Sequence, residues 1–150
     1  MKRVKRVKTS AQVSEYCALH RELSIEYENY AKSLGMTYSS LRALFIIYDN
    51  PKNCTQKTIC DACFLPKQTV HQITTALYKQ GLITMVEVES DRRFKTLHLT
   101  ESGLEYAQSK VSKIKEAENK AMDSLNQEQQ TALIEATRLY LSHFHDFMTS

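Results

Sequence analysis

Residues 65–100 read LPKQTVHQITTALYKQGLITMVEVESDRRFKTLHLT, and a change of period inside this stretch decides the fold. Pro66 suits the first position of a helix, where an N–H has no intrahelical partner to lose, and Gly81 suits the residue just past the end. The spacing therefore predicts one helix over 66–80, roughly 22 Å long at 1.5 Å per residue. From Leu82 the period falls to two. Leu82 to Glu89 is rich in β-branched residues, Ser90-Asp91-Arg92-Arg93 is polar and turn-like, and Phe94 to Leu99 alternates again, which together reads as a hairpin.

On the helix, Val70, Ile73 and Leu77 recur at three and four and point inward. That leaves Lys67, Gln68, His71, Gln72, Thr75 and Lys79 outward, a face without acids. Any amphipathic helix has a solvated polar face, so the helix alone leaves two readings open. The hairpin separates them. Arg92 and Arg93 at its tip, with Lys95 nearby, repel one another unless they meet an anion, and a narrow minor groove is strongly negative. Asp91, two residues before Arg93, is placed to hold that guanidinium.

Upstream, Thr55 caps a short helix running to about Cys63, and Leu65 is pushed out of helical geometry by Pro66. A short helix, a turn, a longer helix and a hairpin with a basic tip is the order of a winged helix-turn-helix, whose second helix enters the DNA major groove. There Gln and Lys suit adenine and guanine edges, while Thr69, Thr75 and the first amides of the helix suit phosphate or a thymine methyl. The fold class expected is mainly α with a small β-hairpin wing.

The rest of the chain is helical in pattern. Apolar or aromatic residues at 13, 16, 20, 23, 27, 30 and 34 draw one stripe down a first helix that Gly35 ends. Thr37 caps a second helix, with Leu41, Leu44, Phe45 and Tyr48, which stops at Asn50-Pro51. Thr100 caps a long helix over 101–125, and Asn126-x-x-Gln129 resembles a capping box opening a last one over 127–148. The helices at 11–34 and 101–148 carry more apolar stripe than one small lobe at 36–100 covers, so they are expected to pair with a second copy. Charge agrees with this division. Residues 1–10 form a basic arm of +5 and residues 52–100 carry +3, whereas 11–51 and 101–150 carry −2 and −3. At 150 residues the chain is one ordinary domain with room for a core. Four cysteines and no long apolar run point away from secretion, a disulfide framework or a membrane partner, and toward the cytoplasm.

Thr55-Gln-Lys-x-Ile, Leu65-Pro-Lys-Gln-Thr-Val, Gly81-Leu-Ile, Asp91-Arg-Arg and Leu99-Thr-x-x-Gly103 resemble, in order and spacing, the MarR family of bacterial transcriptional regulators. The resemblance implies a homodimer whose first and last two helices intertwine, a recognition helix at 66–80 and a wing whose Arg93 enters the minor groove of a near-palindromic operator. It also implies repression relieved by a small molecule, a metal or an oxidant.

Which signal acts is left open by the residues. A small aromatic effector is expected where Tyr27, Tyr38, Arg42 and Tyr48 converge, although tyrosines also fill cores. The hydroperoxide-sensing branch of the family carries a reactive cysteine fourteen residues before the tyrosine matching Tyr27, and Val13 stands there; Cys17 lies one turn later, on a row of small residues, and is expected to be packed. Cys54, Cys60 and Cys63 are expected to pack as small hydrophobes, because a reactive or zinc-binding thiol needs a low pKa, access and partners. The zinc-sensing branch places histidines in the helix after the wing, and none occurs from 101 to 125. No nucleophile elbow, zinc-protease motif or phosphate loop is present, so neither an enzyme nor a cofactor is expected. The alternative to a DNA-binding regulator is a non-enzymatic helical protein-interaction module.

Overall fold

The computed structural model describes residues 8–89 and 91–150, the side chains of 91–93 excepted. The element order is α1 (Ala11–Ser33), α2 (Tyr38–Asp49), α3 (Gln56–Cys63), α4 (Lys67–Lys79), β1 (Ile83–Val88), β2 (Asp91–Leu99), α5 (Glu101–Asp123) and α6 (Gln127–Thr149). Most of the expected basic arm, residues 1–7, lies outside the described residues. The chain divides after Leu104 into two compact units.

In the first unit the helix starts are set by short polar side chains. Thr37 Oγ1 accepts from the Ser40 amide at 3.1 Å, and Thr55 and Thr58 form a reciprocal capping box with both bonds near 3 Å. Each cap satisfies a helix amide that has no partner within the helix. Helix ends are set by glycines in the left-handed region, Gly35 at φ 68° and Gly81 at φ 71°. The core lies where these helices meet the sheet. Leu41, Leu44 and Ile47 of α2, Ile59 of α3, Val70 and Leu77 of α4, Ile83 of β1 and Leu97 of β2 are all buried.

The sheet pairs β1 and β2 antiparallel from Ile83 opposite Leu99 to Glu87 opposite Lys95, then shifts register so that Val88 pairs with Asp91. Asp91 to Arg93, read from sequence as the turn, are therefore the first residues of β2: the shifted register lets the ladder continue toward the tip. A third short segment joins the other side of β2. The Leu97 amide donates to the Cys54 carbonyl at 2.8 Å and Thr55 bridges Thr96. Thr55 thus caps α3 and ties it to the wing at once.

Two of the sequence motifs lock to each other. Thr100 Oγ1 donates to the Gly81 carbonyl at 2.6 Å and accepts from the Gly103 amide at 3.0 Å, and the Thr100 amide donates to the Leu82 carbonyl. A Cβ on Gly103 would lie 1.8 Å from that Leu82 oxygen, so only glycine lets α5 start here. The second unit holds the rest of α5 and α6. Asn126 and Gln129 form the expected capping box, and Ala107, Val111 and Ile114 are buried at three- and four-residue spacing. No residue of α6 is buried; Leu139, Leu141, Phe144, Phe147 and Met148 all stand more than half exposed. No helix among the described residues is long and apolar enough to cross a membrane.

Candidate nucleic-acid interface

The turn between α3 and α4 is built from the end of α3 outward. Phe64 sits in the left-handed region at φ 53° and is 90% exposed, an unfavourable conformation for a bulky residue that the neighbouring contacts must sustain. One such contact is Arg42. From α2 its guanidinium donates to the Ala62 carbonyl at 3.2 Å and the Cys63 carbonyl at 3.3 Å, where a cation suits the negative end of the helix. The chain then leaves through Leu65, and Pro66 serves as the N-cap of α4 rather than its first helical residue: its ψ of 146° is extended. A proline cannot cap with its side chain, so the first amides of α4 stay available to an anion.

Helix α4 rotates Val70, Ile73, Thr74 and Leu77 into the core and leaves Lys67, Gln68, His71, Gln72 and Lys79 exposed. Thr69 and Thr75 are half-buried, so the face expected from spacing is presented with Thr75 partly covered. Across the turn, Gln56 at the start of α3 reaches α4: its Nε2 lies 3.1 Å from Thr74 Oγ1 and 3.4 Å from His71 Nδ1. Sequence spacing gave no sign of Gln56, because the contact spans fifteen residues and two helices.

Lys95 of the wing is exposed and stands opposite Glu87 in the ladder. The side chains of Asp91, Arg92 and Arg93, singled out from sequence, lie outside the described residues. Between the start of α3, Lys67 and the wing opens a cleft of about 370 Å³, lined by Lys57, Cys60, Lys67, Phe94 and Lys95 among others. Lys57 forms an exposed ion pair with Asp61 that raises its pKa above the usual lysine value.

The cysteine run divides. Cys54 and Cys63 are buried and pack as small hydrophobes; burial, then the neighbouring Cys63 sulfur, pushes the Cys54 thiol up to about 11. Burial also raises Cys63, against the opposing pull of Arg42. Cys60, expected to be packed like the others, instead is half-exposed and lines the cleft, because it lies 100° around the short helix from Ile59. Cys17 on α1 is half-exposed as well.

Of the four residues Tyr27, Tyr38, Arg42 and Tyr48, the structure brings the first three together. Tyr27 stacks on Tyr38 with ring centroids 5.4 Å apart, and the Arg42 guanidinium lies 5.8 Å from the Tyr38 ring centre. Tyr38 and Arg42 share a face of α2 at i, i+4. Tyr48 lies six residues beyond Arg42, about 120° around the helix, and is turned to a different side.

Architecture and exposed face together define a winged helix-turn-helix protein. The model of the MarR family matches residues 34–93. Among solved structures, the S. aureus MepR–DNA complex is 24% identical with a TM-score of 0.73, over 85% of this chain and 97% of that one. NMB1585, a MarR family regulator from Neisseria meningitidis, is 24% identical with a TM-score of 0.75, over 93% and 98%. Streptococcus pneumoniae FabT in complex with DNA is 21% identical with a TM-score of 0.73, over 91% and 97%. No curated protein matches the chain in sequence. Residues 34–93 thus match the MarR family model, and over most of its length the chain has the fold of these solved regulators.

Proposed function

We propose that this protein is a cytoplasmic, non-enzymatic transcriptional regulator that binds a near-palindromic operator as a homodimer and acts as a repressor. The observation that carries the reading is the exposed side of α4, which presents Lys67, Gln68, His71, Gln72 and Lys79 without an acid, beside Lys95 of the wing. Such a surface supplies donors for base edges and cations for phosphates. Arg92 and Arg93 would extend it into the minor groove, with Asp91 orienting Arg93, and Thr69 and Thr75 would contact phosphate or methyl groups. MepR and FabT, of the same fold, have been solved on DNA. The exposed apolar side of α6 supports the dimer, since an uncovered stripe of this size favours association.

The stacked Tyr27–Tyr38 pair beneath Arg42 supports a small aromatic effector, whose insertion would disturb the hold of Arg42 on the end of α3. The test is selection from a randomised duplex library, followed by titration of the selected sequence at several salt concentrations. A steep loss of affinity with salt, reduced in slope by about one for Lys67→Ala, is expected. Recovery of no preferred sequence would favour the protein-interaction module instead.

Cys60 favours a second mode of control. It is the half-exposed thiol of the run and lies among Lys57, Lys67 and Lys95, so an adduct there would stand between α4 and the wing. A thiol reagent should then abolish DNA binding of the wild-type chain and spare Cys60→Ser; equal loss in both would discard this route.

A further inference from the structure

Three contacts link Gln56, Thr74 and His71 and bear on where His71 carries its proton. Thr74 is fully buried, and its hydroxyl has a single hydrogen to give. That hydrogen goes to the His71 carbonyl, 3.1 Å from Thr74 Oγ1. With that hydrogen so placed, Gln56 Nε2, 3.1 Å from the same oxygen, donates to it. The same nitrogen lies 3.4 Å from His71 Nδ1 and has a second hydrogen to give. An N–H on Nδ1 would oppose it, so Nδ1 accepts and the imidazole proton sits on Nε2.

Resting on the DNA-binding reading above, we infer that His71 is a specificity-determining residue that presents Nε2–H to the major groove, and that Gln56 is the positioning residue that sets this tautomer. His71 lies exposed on the side of α4 that bears Gln68 and Gln72. A donor there pairs with N7 or O6 of guanine, N7 of adenine or O4 of thymine. It opposes the amino groups of cytosine and adenine, which are donors themselves. With the proton on Nδ1 the preference would reverse, so a side chain of α3 that need not touch the bases selects which base edge α4 accepts.

The test has two parts. The first is nitrogen-15 NMR of the histidine side chains at about pH 8.5, where a free imidazole is neutral. The wild-type chain should show His71 protonated on Nε2. Gln56→Glu keeps the shape but offers an acceptor, and should move the proton to Nδ1; Gln56→Leu should leave a mixture. The second part uses the duplex selected by the wild-type chain, carrying base analogues that lack N7, O6 or O4 at single positions. One position per half-site should lose about tenfold in affinity for the wild-type chain and nothing further for His71→Ala. A proton on Nδ1 in the wild type, or equal sensitivity of wild type and His71→Ala to every analogue, overturns the inference alone. Failure to select any sequence overturns the DNA-binding reading together with it, even where the proton is found on Nε2.

Discussion

The guanidinium of Arg42 lies 3.3 Å from the carbonyl of Cys63, twenty-one residues away, and so ties the middle of α2 to the end of α3. The same group reaches the Ala62 carbonyl and lies near the Tyr38 ring, which makes it the link between the stacked tyrosines and the turn that launches α4. Arg42→Met removes two charge-assisted hydrogen bonds from helix-end carbonyls while keeping the stem. A loss of about 1–2 kcal/mol in urea unfolding is expected. An unchanged midpoint would show that water replaces the guanidinium fully.

Cys54 makes stability depend on alkaline pH. Its folded pKa is raised to about 11, so in the folded chain the thiol keeps its proton to higher pH than in the unfolded chain. Above about 9 the unfolded chain releases the proton first, and stability falls as pH rises until about 11. Urea midpoints taken across this window should decline more steeply for the wild-type chain than for Cys54→Ala, which starts lower because of the cavity it leaves. Parallel declines would remove Cys54 as a source.

Gly103→Ala would place a methyl group against the Leu82 carbonyl, and backbone on both sides would have to shift. Thermal unfolding should move down by several degrees, on the order of 2 kcal/mol or more. An unaltered midpoint would mean that α5 starts elsewhere in solution.

The exposed stripe of α6 predicts a concentration-dependent melting temperature, because a dimer that is the folded state gains stability with concentration. Phe144→Asp, at a half-exposed position, should shift the sedimenting species toward monomer. A wild-type chain that sediments as a folded monomer at micromolar concentration would refute the dimer.

What the sequence made legible here follows from range. The caps at Thr37, Thr55, Thr100 and Asn126 were readable because each acts on an amide three residues ahead. Val70, Ile73 and Leu77 were readable because helical period fixes their common direction. The cysteines show where this ends. Cys60 and Cys63 look alike in sequence, yet one lines a cleft and the other is buried, since their placement depends on which sides of a two-turn helix its neighbours in the fold cover.

By itself, then, the sequence determined the elements, their order and the acid-free side of α4, all properties of residues within a few positions of one another. Only the tertiary structure decided the contacts that give those elements a function. Arg42 on the α3 carbonyls, Cys54 against β2 and Gln56 on His71 join residues fifteen to more than forty positions apart. Such contacts exist because packed side chains bring two surfaces to hydrogen-bond distance, and that distance is a property of the assembled core, not of any stretch of chain.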